Sequence, residues 1–334
     1  MHDSQLLEVR QLKKYFPVAR GLFHRTRSYV KAVDGVDLTI RRGETMGLVG
    51  ESGCGKSTLG YCILRLEEPT SGQVLFEGQD ILSRSKKDMQ ALRRNMQIIF
   101  QDPYASLNPR KTVRQTIGEA FQIHGLLKTG QRQERMRELM EVVGLQPEHL
   151  YRYPHEFSGG QRQRISISRA LALNPKLVIA DEPVSALDVS IQAQILNLLV
   201  SLQEKYHLTY LFISHDLGVV RHLCDRISVM YLGRIVELSA SPILYVQPGH
   251  PYTASLISAV PVANPFRKRH RMHLPGDVPS PIDTPAGCSF HPRCPNREKI
   301  CSMESPMLGQ IETGHWVACH FPIEGESTIR SSSD

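Results

Sequence analysis

Long hydrophobic stretches are missing from this sequence, and aromatic residues are few. No run approaches the roughly 18 consecutive apolar residues that a membrane-spanning helix requires. The first residues include Asp3 and no apolar segment, so we expect no secretory signal and a protein that stays in the cytosol. Aromatic residues make up 7% of the chain, and the densest basic cluster, 267–271, contains none. The net charge of +7 therefore does not indicate a nucleic-acid stacking surface, and we expect no nucleic-acid partner.

The hydrophobic pattern divides the 334 residues into two parts. Short, wholly apolar segments at 46–49, 177–180 and 210–213 are typical of strands buried in a parallel sheet. Polar helical segments lie between them, which favours an α/β domain. From about residue 241 frequent prolines interrupt the pattern, so we predict loops there, held together by something other than a large core.

A glycine-rich segment, 50–58, connects the first of these strands to a helix predicted from Lys56 to about Arg65. It matches G-x-x-x-x-G-K-[ST] in the strand–loop–helix context that the motif demands. The backbone N–H groups of such a loop surround the phosphates, and Lys56 supplies a point charge to them, while Ser57 offers its hydroxyl to Mg²⁺. The predicted ATP-binding residues of the loop are Gly50, Glu51, Ser52, Gly53, Cys54, Gly55, Lys56, Ser57 and Thr58.

Two adjacent acids, Asp181 and Glu182, follow the buried strand that begins near residue 176. In open α/β sheets the carboxyl ends of the strands are where ligands bind. We expect Asp181 to hold Mg²⁺ through its water shell and Glu182 to polarise the attacking water.

A second site for an anion is indicated where a serine and two glycines open another helix. The segment consists of Ser158, Gly159, Gly160 and Gln161 and follows Phe157. It resembles the signature motif of ABC ATPases, which is usually Leu-Ser-Gly-Gly-Gln. The resemblance implies that this segment acts on the ATP held by the phosphate loop of a partner subunit.

The other ABC motifs are similar to segments that occur here in the family's order. Gln101 resembles the glutamine of the Q-loop, which contacts Mg²⁺, and Asp188 resembles the aspartate of the D-loop. His215 resembles the switch histidine near the γ-phosphate. Phe16, or its neighbour Tyr15, resembles the aromatic residue that stacks on adenine. Glu182, His215 and Gln101 are accordingly the expected catalytic residues.

The resemblance implies an α/β fold: a P-loop NTPase (RecA-like) core with an ABC helical subdomain. The ATPase domain is expected to cover 1–240, with the helical subdomain at about 102–160. The remaining residues, 241–334, would form a small loop-rich metal-binding domain.

Several segments resemble the F-type ATPase subunit of dipeptide and oligopeptide permeases. They include the insert 17–30, the segment 153–158, and 250–253 and 279–294 beyond the core. This resemblance implies ATP and Mg²⁺ as ligands, and a location at the cytoplasmic face of the inner membrane. The implied partners are a second homologous ATPase subunit, two permease subunits and an extracytoplasmic solute-binding protein. Related subunits also serve importers of nickel chelates or glutathione, so the solute stays open.

Four of the seven cysteines lie in the last fifty residues and lack the C-x₂₋₄-C spacing that zinc sites prefer. Permease relatives carry a [4Fe–4S] cluster in the same region, so the resemblance favours that cluster, with zinc or free thiols as alternatives. We expect a purely structural metal without a role in ATP chemistry. The expected ligands are Cys288, Cys294, Cys301 and Cys319. Cys54, beside Lys56 at a helix N-terminus, is in turn expected to have a lowered pKa and to react with thiol reagents, with an inert small residue as the alternative.

A rival function is a soluble ABC protein of DNA repair or translation. Repair-type chains carry a long coiled coil between the phosphate loop and the signature, and translation-type chains carry two cassettes. This sequence has one cassette and a short intervening segment, which favours transport.

Overall fold

The computed structural model describes residues 5–20, 26–260, 272 and 274–323. The basic cluster at 267–271 and the serine-rich end of the chain, which we expect to be frayed, lie outside the described residues, as do residues 21–25 of the insert. In the part of the chain that is described, no helix has both the length and the apolar character needed to cross a membrane.

Twelve strands occur among the described residues. They are β1 (Gln5–Arg20), β2 (Thr26–Arg41), β3 (Thr45–Val49), β4 (Ser71–Phe76), β5 (Gln79–Asp80), β6 (Met96–Ile99), β7 (Leu177–Asp181), β8 (Thr209–Ser214), β9 (Arg226–Tyr231), β10 (Arg234–Ala240), β11 (Gly309–Glu312) and β12 (His315–Val317).

Ten α-helices are described in the same ranges. They are α1 (Lys56–Ile63), α2 (Lys86–Arg93), α3 (Pro103–Ser106), α4 (Val113–Ile123), α5 (Thr129–Val142), α6 (Gly159–Leu171), α7 (Val189–Tyr206), α8 (Leu217–Leu223), α9 (Ser241–Val246) and α10 (Pro251–Ala259). Short 3₁₀ turns occur at Pro147–Tyr151, Pro154–Glu156, His291–Arg293 and Lys299–Ser302.

The chain forms two compact units. The first contains Met1–Leu7, Ile40–Thr45 and Leu75–Ile213; the second contains Glu8–Thr39, Met46–Val74 and Ser214–Asp334. Residues on both sides of position 240 belong to the second unit, so the predicted domain boundary there stays a prediction.

In the first unit β6, β7 and β8 are parallel neighbours in that order. Every residue of β7 and β8 is buried, as expected for parallel strands covered on both faces. The helices α4 and α5 pack against each other and against α6. The predicted strands at 177–180 and 210–213 and the polar helical segments predicted between the strands are thus confirmed.

In the second unit β3 pairs with β9 in parallel, and β9 pairs with β10 antiparallel. β12 then extends the same sheet by pairing with β10, and β11 pairs with β12. A second sheet contains β2, β1 and β4 as neighbours in that order.

The prediction that prolines exclude regular elements after residue 241 was wrong. Pro242 and Pro251 lie in the first turns of α9 and α10, where a missing N–H group costs no helical hydrogen bond. β12 also gives this region a place in a sheet, with Glu237 opposite Val317.

Candidate nucleotide-binding site

The phosphate loop connects β3 to α1 in the second unit. All five residues of β3 are buried, so the start of the loop is fixed by the sheet. Lys56 is only 4% exposed, and its Nζ donates to the carbonyl oxygens of Gly50 (2.8 Å) and Glu51 (3.0 Å). The ammonium group therefore lies against the inner side of the loop, where a phosphate ligand needs positive charge.

Two glycines of the loop are required by space as well as by backbone conformation. At Gly55, which has φ 106°, an added Cβ would lie 1.9 Å from the carbonyl oxygen of Ala32. At Gly50 it would lie 2.2 Å from the carbonyl oxygen of Met230. The loop is thus packed against neighbouring backbone, which holds its N–H groups in one arrangement before any ligand binds.

Two residues of the C-terminal region hold the loop from outside. The N–H group of Glu51 donates to the hydroxyl of Tyr252 at 2.8 Å. The guanidinium of Arg293 forms two hydrogen bonds to the Glu51 carboxylate, at 2.8 and 3.1 Å. Sequence reasoning gave neither residue a role in the ATP site, although both lie in segments that resemble the permease subunit, because their partner Glu51 is about 200 or more positions away. Both residues place the C-terminal region in direct contact with the phosphate loop.

In the first unit, the acids lie where β7 ends. Asp181 is 1% exposed, and Glu182 follows it with φ 45°, an unusual conformation for a non-glycine residue. The side-chain amide of Gln101, just after β6, donates to Glu182 Oε2 at 2.9 Å. The parallel pairing of β6 and β7 therefore brings together two residues that are 81 positions apart in sequence.

The signature segment forms the N-terminus of α6. Ser158 Oγ accepts from the N–H of Gln161, and Gln161 Oε1 accepts from the N–H of Ser158 at 3.0 Å, which makes a capping box. Phe157 is buried and packs edge-on against His149, so it fills an apolar position. Ser158 itself is exposed.

The D-loop lies directly against this segment. An added Cβ on Gly160 would lie 2.5 Å from Ile191, in the first turn of α7. Asp188 is the N-cap residue of α7, and the Gln192 side chain donates to the carbonyl oxygens of Val184 and Leu187 at 3.0 and 2.9 Å. The signature and the D-loop thus share one surface of the first unit.

The remaining predicted site residues lie in the second unit. His215 is exposed, between β8 and α8. Phe16 lies on β1 with Lys14 Nζ 4.6 Å from its ring centre. The hydroxyl of Tyr15 donates to Asp34, so of the two aromatic residues Phe16 is the better candidate for stacking on adenine.

The expectation for Cys54 was wrong. Its side chain is 4% exposed, and burial raises the pKa of the thiol in spite of the nearby Lys56, whose Nζ lies 3.9 Å from Sγ. The free-energy cost of removing the Cys54 thiolate from water is here larger than its stabilisation by the ammonium group of Lys56. Cys54 is therefore a small buried residue whose thiol pKa is raised, not lowered.

The four C-terminal cysteines line one small pocket, together with His250, His291 and His320. Burial raises the pKa of the Cys294 thiol to about 11 and that of Cys319 to about 12. No three His, Cys, Asp or Glu side chains in the described ranges are arranged to hold a metal ion. A metal-binding C-terminal domain is thus not established by the structure.

A phosphate loop on β3 and paired acids after a buried strand define a P-loop NTPase, and the signature helix narrows the class to the ABC type. Residues 33–185 match the family model described as ABC transporter. Residues 236–301 match the model of the oligopeptide/dipeptide transporter C-terminal region.

Whole-chain relatives agree with these matches. The oligopeptide transport ATP-binding protein AppF of Bacillus subtilis is 56% identical, with 96% of this chain and 98% of the relative covered. The probable peptide ABC transporter ATP-binding protein y4tS of Sinorhizobium fredii is 53% identical, with 96% and 90% covered. The chain belongs to the ABC transporter family, among the ATP-binding subunits of the oligopeptide type.

Two solved structures of the family resemble this fold. CbiO1 from Clostridium perfringens, part of the ABC transporter complex cbiONQ, has a TM-score of 0.60 at 29% identity, covering 72% of this chain and 90% of that one. A dimeric ATP-binding cassette in a post-hydrolysis state with ADP and phosphate has a TM-score of 0.61 at 28% identity, covering 70% and 98%.

Proposed function

We propose that this chain is the ATP-hydrolysing subunit that powers an importer of di- or oligopeptides. The observation that carries the proposal is the combination of a complete set of ABC motifs with a matching oligopeptide-type C-terminal region in one chain. The names of the relatives, which refer to oligopeptide and peptide transport, support the substrate class. Nickel chelates and glutathione, which related importers carry, stay as alternative solutes.

In this proposal the second unit binds the nucleotide. The N–H groups of the loop and the ammonium of Lys56 bind the phosphates, and Phe16 stacks on the adenine. Hard oxygen ligands suit Mg²⁺, and the Ser57 hydroxyl, the Asp181 carboxylate and the Gln101 side-chain oxygen are of this type. Bound Mg²⁺ would neutralise the charge that develops on the phosphates.

The proposed hydrolytic groups are Glu182, Gln101 and His215. Glu182 accepts a proton from the attacking water, and the hydrogen bond from Gln101 fixes the direction of its carboxylate. His215 would contact the γ-phosphate. Because Gln101 touches the proposed base directly, a movement of the segment after β6 would change the geometry of Glu182.

The signature is proposed to complete the ATP site of a second, homologous subunit. Its exposed serine at the N-terminus of α6 supports this assignment, because a helix N-terminus on the surface is available to a phosphate from outside. The related cassette with ADP and phosphate is a dimer. Closure of the pair on ATP and opening after hydrolysis would drive the permease subunits.

ABC importer ATPases work with membrane permeases, and we place this chain at the cytoplasmic face of the inner membrane. Two permease subunits and an extracytoplasmic solute-binding protein complete the proposed complex. The test is uptake of a labelled peptide by cells that contain this chain as the sole copy of the subunit. Replacing Lys56 by Ala should abolish uptake, while a Ser85→Ala chain, changed at the exposed cap of α2, should retain it.

Uptake that is unaffected by Lys56→Ala would refute the transport role. Affinity purification from membranes separates the alternatives further. Recovery of permease subunits supports the importer, whereas recovery of ribosomes or repair proteins without permeases supports the soluble ABC functions.

We further propose that Cys288, Cys294, Cys301 and Cys319 hold a structural [4Fe–4S] cluster. Their common pocket supports this proposal. A zinc ion takes four Cys or His ligands around one point, with sulfurs at about 2.3 Å, whereas a cluster distributes its ligands over four irons. Zinc stays the alternative metal, and the metal content of the purified protein distinguishes the two.

Protein purified without oxygen should be brown and contain iron and acid-labile sulfide in equal amounts. Replacing any one of the four cysteines by Ser should bleach it. Colourless anaerobic protein with stoichiometric zinc would contradict the cluster, and ordered protein without metal would contradict both metals.

A further inference from the structure

The phosphate loop contains an acidic residue at an unfavourable position. Glu51 directly follows the first glycine of the loop, and its side chain is 28% exposed. Two charged groups within about 8–10 Å of each other still interact at physiological salt. A carboxylate in a loop that binds a polyphosphate therefore disfavours the ligand, unless another group neutralises it.

Arg293 provides that neutralisation. Its guanidinium binds both carboxylate oxygens of Glu51, and its side chain is 9% exposed. A bidentate contact of this kind fixes the orientation of the carboxylate in addition to compensating its charge. The carboxylate is thus directed to the arginine and its charge is compensated.

The segment that carries Arg293 is itself firmly placed. Phe290, three residues earlier, is 1% exposed and packs against two tyrosines. Its ring centre lies 5.3 Å from that of Tyr231 and 5.5 Å from that of Tyr252. Tyr252 is fully buried and accepts the hydrogen bond from the N–H of Glu51. An aromatic cluster thus joins the 3₁₀ turn His291–Arg293 to the backbone of the loop.

We propose that Arg293 is a positioning residue of the ATP site, through which the C-terminal region sets the affinity of the phosphate loop for ATP. Its charge cancels that of Glu51, and Tyr252 holds the backbone of the same residue. Displacement of the turn leaves Glu51 uncompensated beside the phosphates. ATP affinity therefore depends on the C-terminal region being in place.

The experiment is a double-mutant cycle on the full chain, with MgATP binding measured by calorimetry. Arg293→Gln should raise the Kd about tenfold, equivalent to about 1.4 kcal/mol. Glu51→Gln should bind at least as tightly as the wild type, because the carboxylate is gone. In the double variant the loss should disappear, since there is no charge left to compensate. Arg293→Lys should recover part of the affinity.

Arg135→Gln is the matched control, because Arg135 also forms an ion pair and an amide hydrogen bond, to Glu138 and Asn174, which lie outside the loop. It should leave the Kd unchanged. Thermal midpoints of all variants separate binding from folding. An unchanged Kd in Arg293→Gln overturns the proposal. So does a double variant as weak as Arg293→Gln, because the arginine would then act only by supporting the structure.

Discussion

The phosphate loop and the signature segment are both built from glycines and serine at the start of a helix, yet their surroundings differ. The N-cap residue of the helix after the phosphate loop is Gly55, which has no side chain to cap it, and Lys56 beside it is buried. The signature helix is capped by its own Ser158, which is exposed. Two similar sequences thus begin helices in different surroundings: the lysine at the first helix is buried, and the capping serine of the second is exposed.

Glycine serves a different purpose in the two segments as well. Gly55 has a left-handed conformation and lies against the backbone of Ala32, whereas Gly160 is helical and allows Ile191 to approach. Glycine is required at position 55 by the backbone conformation of the loop, and at position 160 by the packing of α6 against α7. Variants at the two sites should therefore fail in different ways.

The largest effect is expected at the proposed base. Glu182→Gln preserves the hydrogen bond from Gln101 but removes the carboxylate that polarises water, so steady-state turnover of the assembled complex should fall at least about 100-fold. Nucleotide binding at the phosphate loop should persist. Turnover is measured by phosphate release and binding by retention of labelled ATP. Full turnover in this variant would contradict the role of Glu182.

The packing role of Gly160 predicts a loss of stability. Gly160→Ala forces Ile191 to move, which should lower the free energy of unfolding by about 1–3 kcal/mol. Gly130→Ala is the control: it lies in α5 with open space around it, so the same change should be neutral or stabilising. Denaturant titration compares the two. Equal effects would show that Gly160 is not a packing position.

A comparison of two serine caps distinguishes an effect on stability from an effect on turnover. Ser158→Ala and Ser85→Ala each remove a serine cap, from α6 and α2, and each should cost about 1 kcal/mol of unfolding free energy. Only Ser158→Ala should also lower the turnover of the assembled complex, by about tenfold or more. If both variants keep wild-type turnover, the signature serine does not act on a nucleotide.

The smallest effect concerns Cys54. Its thiol pKa is raised by burial, so the thiolate fraction at pH 8 is below that of an exposed cysteine, and modification should be slow and should accelerate as the pH rises. Cys54→Ala should therefore leave the rate of inactivation by a thiol reagent nearly unchanged. A rate that drops strongly in Cys54→Ala would restore the view of Cys54 as a reactive residue.

The motifs of both segments were readable in the sequence because each is local. The strand–loop–helix context around 50–58 and the capping pattern at Ser158 depend on neighbours within a few residues. The buried strands β7 and β8 were readable for the same reason, since their apolar runs are short and unbroken. The prediction for the proline-rich region was wrong because a proline disfavours the interior of a helix but not its first turn.

The sequence by itself thus determined the class of the fold, the identity of the phosphate loop, the acids and the signature. Only the tertiary structure decided the environment of each group. Burial reversed the expected chemistry of Cys54, and contacts across 201 and 242 residues placed Tyr252 and Arg293 on Glu51. The physical reason is that motifs record local backbone and side-chain requirements, whereas desolvation and charge compensation depend on which distant segments the fold brings together.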